Sequence, residues 1–193
     1  MIPEMVLPDK PEPRQRWMTR SEVAKLLWAS RRTPHLCRFI LLGIYTGSRS
    51  GVIRNLEWGW IDFRAGTMRR RSPRAGEIKN KRAPVVRLGR RILAHLRRWR
   101  RIDSRHAVYV CAYDGKPFHK IKGSWDKALR RAKLSNRDGK VTPHILRHSR
   151  ATWLMQKGID AFQAAGHLGM SVETLNRNYG HHHPDYQREA AEV

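Results

Sequence analysis

The stretch Thr142-Pro143-His144-Ile145-Leu146-Arg147-His148-Ser149-Arg150-Ala151-Thr152 places a histidine and an arginine three residues apart. Its apolar spacing predicts a helix over about 143–157, with both residues in the first turns. Residues three apart share a helix face, so His144 and Arg147 are expected to converge on one phosphate. With Arg49 upstream and Tyr179 downstream, they form a set suited to phosphodiester chemistry.

The composition points to a polyanionic partner. The 193 residues include 40 Lys and Arg against 16 Asp and Glu, a formal net charge of +24 and a pI near 11.4. The basic residues recur along the chain, at 69–71, 87–91, 97–101 and 130–133. Because solubility does not require so one-sided a charge, nucleic acid is the favoured partner. No basic amphipathic segment adjoins a lipidation signal, which disfavours membrane attachment.

The cysteines and the N-terminus indicate a cytoplasmic setting. Cys37 and Cys111 lack metal-type spacing, and we expect both to be reduced, buried thiols. No apolar run reaches the roughly 18 residues that a membrane span needs. The N-terminus is Pro-rich and charged rather than apolar, unlike a secretory leader.

The hydrophobic pattern predicts an α+β fold that is mainly α, one helical domain with a small antiparallel three-stranded sheet. A capping box at Thr19-Arg20-Ser21-Glu22 opens the first helix, and Gly47 should end the second. The tryptophans at apolar helix positions are expected in the core: Trp28, Trp99, Trp125 and Trp153. The predicted helices cover about 19–30, 35–45, 48–56, 89–101, 121–134, 143–157, 160–168 and 172–178. The predicted strands cover 60–63, 67–71 and 83–88, the first two joined by a hairpin turn at 64–66.

Four segments resemble, in order, the sequence boxes of tyrosine recombinases, the phage integrase family. They are Thr46-Gly47-Ser48-Arg49, the lysine-bearing stretch 77–88, His144-Ile145-Leu146-Arg147-His148, and 168–181 with Leu168-Gly169-Met170-Ser171 and Tyr179. A match to any one of these boxes is weak evidence for the family, but matches to all four in the family's order are specific. The resemblance covers about 19–183 and implies a catalytic domain there, after a Pro-rich lead at 1–18 and before a tail at 184–193.

The resemblance implies a metal-free mechanism in which Tyr179 attacks phosphorus and forms a 3′-phosphotyrosyl link. Arg49 and Arg147 would hold the phosphate oxygens, since a guanidinium forks onto two oxygens and stays charged. Lys79 would protonate the leaving oxygen, with Lys81 as its competitor, and His144 would accept the tyrosine proton or hold an oxygen. Each residue also has a plain alternative: a packed tyrosine, a loop lysine, a capping histidine or a surface arginine. No cofactor is expected.

Two positions depart from the family pattern. The family usually places an acidic residue three positions after the first arginine, where it braces the site, and here Val52 stands there. Met170 occupies the position of a second histidine and cannot hydrogen-bond a phosphate as an imidazole would. His167, one helical turn earlier, is our candidate for a substitute, although a surface histidine is an equal alternative.

Basic side chains near these boxes are predicted to contact DNA: Arg69, Arg70, Arg71, Lys81, Arg82, His148 and Arg150. No cluster of Cys, Asp or Glu ligands adjoins the run His181-His182-His183, so we predict no metal centre. The resemblance implies double-stranded DNA as the partner and a homo-oligomer assembled on it.

The resemblance thus predicts a site-specific recombinase or integrase, of the kind that serves phages and mobile elements. Family members carry a core-binding domain before the catalytic one, and the lead before Thr19 is too short for it. We therefore expect either an excised piece or a natural truncation. The main alternative is a truncated, non-catalytic DNA-binding remnant. A structural RNA-binding protein would explain the charge but not the spacing of the four candidate side chains.

Overall fold

The computed structural model describes residues 16–71, 84–117, 120–134 and 141–192. Within these ranges the chain is mainly helical and carries two small antiparallel sheets. The helices are α1 Arg20–Ala29, α2 Pro34–Thr46, α3 Ser50–Arg54, α4 Arg90–Ile102, α5 Lys122–Arg131, α6 Ile145–Gln156, α7 Ala161–Leu168 and α8 Val172–Tyr179. The strands are β1 Ile61–Asp62, β2 Thr67–Met68, β3 Val86–Arg87, β4 Ala112–Tyr113 and β5 Lys116–Pro117. The predicted fold class is confirmed.

Local sequence signals set several helix boundaries. The Glu22 amide donates to Thr19 Oγ1 at 3.2 Å and the Thr19 amide donates to Glu22 Oε2 at 2.8 Å, which confirms the capping box. Gly47 ends α2 in the left-handed conformation, with φ +62°. This conformation turns the chain sharply away from the α2 axis, and Arg49 follows two residues later.

The core divides into two clusters that share α6. The larger contains most of α2, which packs against α6 so closely that a Cβ on Gly43 would lie 2.7 Å from Leu146 Cδ1. The smaller cluster joins one side of α6 to α7 and α8. It consists of Ala151, Met155, Ala164, Ala165, Leu168, Leu175 and Tyr179. Helix α6 therefore links the body of the domain to the helix that ends in the tyrosine.

The three-stranded sheet has the order β1-β2-β3 and is antiparallel, as predicted, although each strand is only two residues long. Ile61 pairs with Met68, and Met68 pairs with Val86. The second sheet, β4-β5, was missed. Its turn is Asp114-Gly115, both at positive φ, which is a recognised hairpin signal.

The tryptophan prediction holds for two of its four members. Trp99 and Trp125 are buried, and Trp153 is half-buried with its indole N–H donating to the Met18 carbonyl at 3.1 Å. The prediction for Trp28 is wrong, because its side chain is 70% exposed and stacks beneath the Arg31 guanidinium. Both cysteines are free, Cys111 fully buried and Cys37 partly buried. No helix in the described part of the chain is long and apolar enough to cross a membrane.

Candidate active site

Arg147 lies at the centre of the candidate site, buried on α6 with 5% of its surface exposed. Its Nη1 donates to the Gly47 carbonyl at 2.7 Å and also to the Leu168 carbonyl. Burial lowers the pKa of Arg147 to about 10, and Arg49 contributes to that shift, whereas Tyr179 opposes it. One guanidinium thus joins the end of α2 to the end of α7 and remains charged at neutral pH.

Tyr179 is the last residue of α8, and its phenol lies near the guanidinium of Arg147. The side chain is 7% exposed, and its Oη lies 2.6 Å from Nδ1 of His148. Burial raises the pKa of Tyr179, and the nearby charge of Arg147 partly offsets this. The phenol is therefore neutral near pH 7 and keeps its proton, which it can donate to Nδ1 of His148 when that nitrogen is unprotonated. Ionisation of the phenol requires that proton to leave, and His148 is positioned to accept it.

His144 and His148 lie one helical turn apart at the start of α6. His144 is the N-cap residue and is exposed, and its ring meets that of His148 edge-on at a centroid distance of 4.7 Å. The sequence-based prediction assigned the proton acceptor to His144 and a DNA contact to His148. The structure places the His148 ring, rather than that of His144, against the tyrosine hydroxyl. The contact of His148 with DNA stays a prediction.

Arg49 extends the site from the other side of the Gly47 turn. It is the N-cap residue of α3, with extended backbone and an exposed side chain. Its positive charge lowers the pKa values of both Arg147 and Arg70, so the three guanidinium groups share one neighbourhood. The coupling of Arg49 to Arg147 supports the predicted convergence of these two arginines, and the approach of Arg49 to Tyr179 stays a prediction.

Comparison with known proteins identifies the group. The sequence profile of the phage integrase family matches residues 16–185, most of the chain. The chain belongs to the phage integrase family.

The family relatives and solved structures agree with this membership. The chain is 31% identical over 175 residues to the tyrosine recombinase XerA of Pyrococcus furiosus, covering 87% of this chain and 59% of that protein. The chain thus spans about three-fifths of the length of XerA. The catalytic domain of bacteriophage HP1 integrase superposes with a TM-score of 0.64 at 20% identity, over 92% of this chain and 94% of that domain. The integrase of transposon Tn1549, in complex with transposon right-end DNA, superposes with a TM-score of 0.73 at 17% sequence identity. The match covers 96% of this chain and 67% of that one.

Arg70 is a correction among the predicted DNA contacts. It is the second residue after β2, and its side chain points inward and is 5% exposed. Its Nε donates to Ser48 Oγ at 3.0 Å and its Nη2 to the Thr46 carbonyl at 2.8 Å and the His167 carbonyl. Its Nη1 is buried as well, so every nitrogen of this guanidinium is turned into the protein and away from a DNA surface. The two Arg147 hydrogen bonds, by contrast, both use Nη1. The neighbours of Arg70, Arg69, exposed, and Arg71, half-buried, stay predictions.

Arg150 of α6 and His167 of α7 lie next to each other. Arg150 is half-buried, and its Nη2 lies 3.4 Å from Nε2 of His167, which itself lies 3.3 Å from the Tyr45 carbonyl. Burial lowers the pKa of His167 to about 4, and Arg150 contributes to that shift, so the ring is neutral at pH 7. These contacts use Nη2 of Arg150 and Nε2 of His167. The substitution of His167 for the missing histidine and the Arg150 contact with DNA stay predictions.

Some of the remaining predicted residues lie outside the described part of the chain and others lie within it. Lys79, Lys81 and Arg82 lie outside the described residues, so their roles stay predictions. Met170 is half-buried and packs against the α6–α8 cluster, and Val52 is half-buried on α3. Among the described residues, no three His, Cys, Asp or Glu side chains gather in a metal-binding arrangement.

Proposed function

We propose that this chain is the catalytic part of a site-specific DNA recombinase that breaks and rejoins strands through Tyr179. The single observation that carries this proposal is the 2.6 Å hydrogen bond from the Tyr179 hydroxyl to His148, beside the buried charge of Arg147. A tyrosine held only for packing needs neither partner. The family membership and the fold support the same conclusion.

The chemistry balances without an external energy source. Tyr179 Oη attacks the scissile phosphorus, its proton passes to His148, and the bond from phosphorus to the 5′ oxygen breaks. The 5′ oxygen takes a proton from an acid, for which we propose Lys79. The product is a 3′-phosphotyrosyl link, and attack on it by a 5′ hydroxyl from another strand reverses the step. Strand joining thereby recovers the free energy of the broken bond.

Arg147 and Arg49 would stabilise the charge that develops on the non-bridging oxygens. The Nη1 of Arg147 is tied to two carbonyls, so the orientation of the guanidinium plane is fixed before DNA arrives. A preorganised cation stabilises a transition state more than a mobile one does, since no reorganisation is needed at the moment of reaction. His144, exposed at the start of α6, remains a candidate second ligand to the phosphate.

Double-stranded DNA is the proposed partner, with assembly into a homo-oligomer on it. The net charge of +24 favours a polyanion, and the structurally similar Tn1549 integrase and a λ integrase dimer were both solved in complex with DNA.

The test uses a nicked suicide duplex pool, in which cleavage releases a short strand and traps the covalent complex. The wild-type chain should give a slowly migrating adduct on a denaturing gel, and Tyr179→Phe should give none. Tyr186→Phe is the matched control, because that tyrosine is 52% exposed near the C-terminus and should retain the adduct. An adduct that survives Tyr179→Phe would refute the assignment.

A non-catalytic DNA-binding remnant is the second candidate, and Met170 is the observation that favours it. A thioether stands where the family pattern has an imidazole, and Nε2 of the nearby His167 lies 3.3 Å from the Tyr45 carbonyl. This alternative predicts duplex binding with a steep salt dependence and no adduct on any duplex.

A further inference from the structure

Two buried arginines bind the same two segments of the backbone. Arg147 joins the Gly47 carbonyl to the Leu168 carbonyl, and Arg70 joins the Thr46 carbonyl to the His167 carbonyl. Each guanidinium therefore spans from the turn after α2 to the end of α7. The turn leads directly into Arg49, and the end of α7 leads into the segment that carries Tyr179.

Arg70 also hydrogen-bonds to a side chain of the turn itself. Its Nε donates to Ser48 Oγ at 3.0 Å, and the same hydroxyl lies 2.8 Å from Thr46 Oγ1. The Ser48 amide in turn donates to Thr46 Oγ1 at 3.2 Å. The side chain of Arg70 thus completes a small buried network that fixes the two residues flanking Gly47.

The packing around Arg70 leaves little room for an alternative position. Gly169 follows α7 with φ +68°, and a Cβ on it would lie 2.9 Å from Arg70 Nη1 and 3.0 Å from Pro84 Cδ. The guanidinium is therefore confined between the turn, Gly169 and Pro84. Its hydrogen-bond acceptors in the described structure are carbonyl and hydroxyl oxygens, and two further arginines stand nearby.

Burying this cation is energetically unfavourable. Burial lowers the pKa of Arg70 to about 9, and the charges of Arg147 and Arg49 add to the effect. An apolar side chain would avoid that cost but would leave the Thr46 and His167 carbonyls without this donor. The arrangement is therefore better suited to fixing geometry than to maximising stability.

We propose that Arg70 is a positioning residue that holds the Thr46–Arg49 turn against the end of α7, so that Arg49 and Arg147 meet one phosphate. This inference rests on the proposed function, and Arg70 itself touches no DNA. In the family pattern an acidic residue three positions after the first arginine holds that arginine in place, and this chain has Val52 there. We assign the same supporting role toward Arg49 to Arg70.

The test compares Arg70→Met, Arg70→Lys and the control Arg98→Met, which removes an equal charge from an exposed position on α4. The single-turnover cleavage rate at saturating suicide duplex is measured beside the Kd for duplex, the latter in a Tyr179→Phe background. Arg70→Met should slow cleavage about 10- to 100-fold, the scale of a misplaced reacting group, while the Kd changes less than about threefold. Arg70→Lys should recover part of the rate, and Arg98→Met should leave it unchanged.

Thermal melting and hydrogen–deuterium exchange separate positioning from a purely structural role. Arg70→Met should remain folded at the assay temperature but exchange faster in peptides covering 46–50 and 165–170, and not in α4. A wild-type cleavage rate in the folded variant would overturn the inference, as would a loss of rate that matches the loss of folded protein and is not recovered by lysine. If the wild-type chain forms no adduct, the proposed function fails, while unchanged exchange at 46–50 would independently refute the bracing role.

Discussion

The hydroxyl of Tyr179 lies 2.6 Å from Nδ1 of His148, across 31 residues of sequence and between two different helices. The contact joins the last residue of α8 to the second turn of α6. The same α6 helix carries Arg147, whose charge opposes the effect of burial on the Tyr179 pKa. A proton acceptor and a phosphate-binding cation are thus fixed on one helix in front of the nucleophile.

His148→Ala should slow cleavage by about 10²- to 10⁴-fold, since it removes the group that takes the phenolic proton. Duplex affinity should change little, because the ring is directed at Tyr179 rather than at a surface. The measurement is single-turnover adduct formation, with His181→Ala, an exposed histidine, as the control. His144→Ala provides the competing test. If His144→Ala abolished cleavage while His148→Ala did not, His144 would be the proton acceptor and the assignment to His148 would be wrong.

Arg147→Lys should lower the cleavage rate by about 10²- to 10³-fold while leaving most duplex binding intact. An ammonium keeps the charge but lacks the fork needed to hold two backbone carbonyls and a phosphate at once. The rate at saturating DNA and the Kd are measured separately. A raised Kd with an unchanged maximal rate would mean that Arg147 contributes only to ground-state binding.

The stability of the protein should fall between about pH 6.5 and pH 4 because of His167. Its pKa is lowered to about 4 in the folded chain, mainly by burial, against 6.5 as the ordinary value. The unfolded chain then binds more protons in this window, so acidification favours unfolding, by at most about 3 kcal/mol. Urea melts from pH 4 to pH 7 check this. His167→Gln, which does not titrate, should show a flatter profile, and an identical profile would contradict the assignment.

Gly47→Ala should destabilise the fold by about 1–3 kcal/mol and slow cleavage as well. The residue has φ +62°, and a Cβ there would lie 2.4 Å from Leu168 Cδ2. The added methyl group pushes the Arg49 turn away from α7, where Arg147 spans the same gap. Chemical denaturation and the cleavage assay are run together. Gly51→Ala is the control, because a Cβ at that glycine meets nothing within 4 Å. Equal effects at both positions would remove the steric explanation.

Sequence signals gave the helices because those signals are local. The capping box at Thr19 and the left-handed turn at Gly47 lie within a few residues of the boundaries they set. The Asp114-Gly115 turn is an equally local signal, but β4 and β5 are only two residues long, too short for a period-2 pattern to predict them.

Side-chain direction was harder to predict. Arg69, Arg70 and Arg71 are chemically alike in sequence, yet in the irregular segment after β2 only the middle one turns into the core. Likewise, His144 and His148 share a helix face, and the position of α8 alone decides which of them meets Tyr179. The charge cluster at 69–71 therefore predicted three arginines on a DNA-binding surface, whereas Arg70 is buried and bonded within the protein.

The most direct measurement of the central claim is the identity of the residue linked to DNA. Wild-type chain trapped on the suicide duplex would be digested with protease and nuclease, and the nucleotide-bearing peptide sequenced by mass spectrometry. Our account predicts a phosphotyrosyl residue at Tyr179, in the peptide that ends α8. A link at any other tyrosine, at a serine or at a histidine would contradict it.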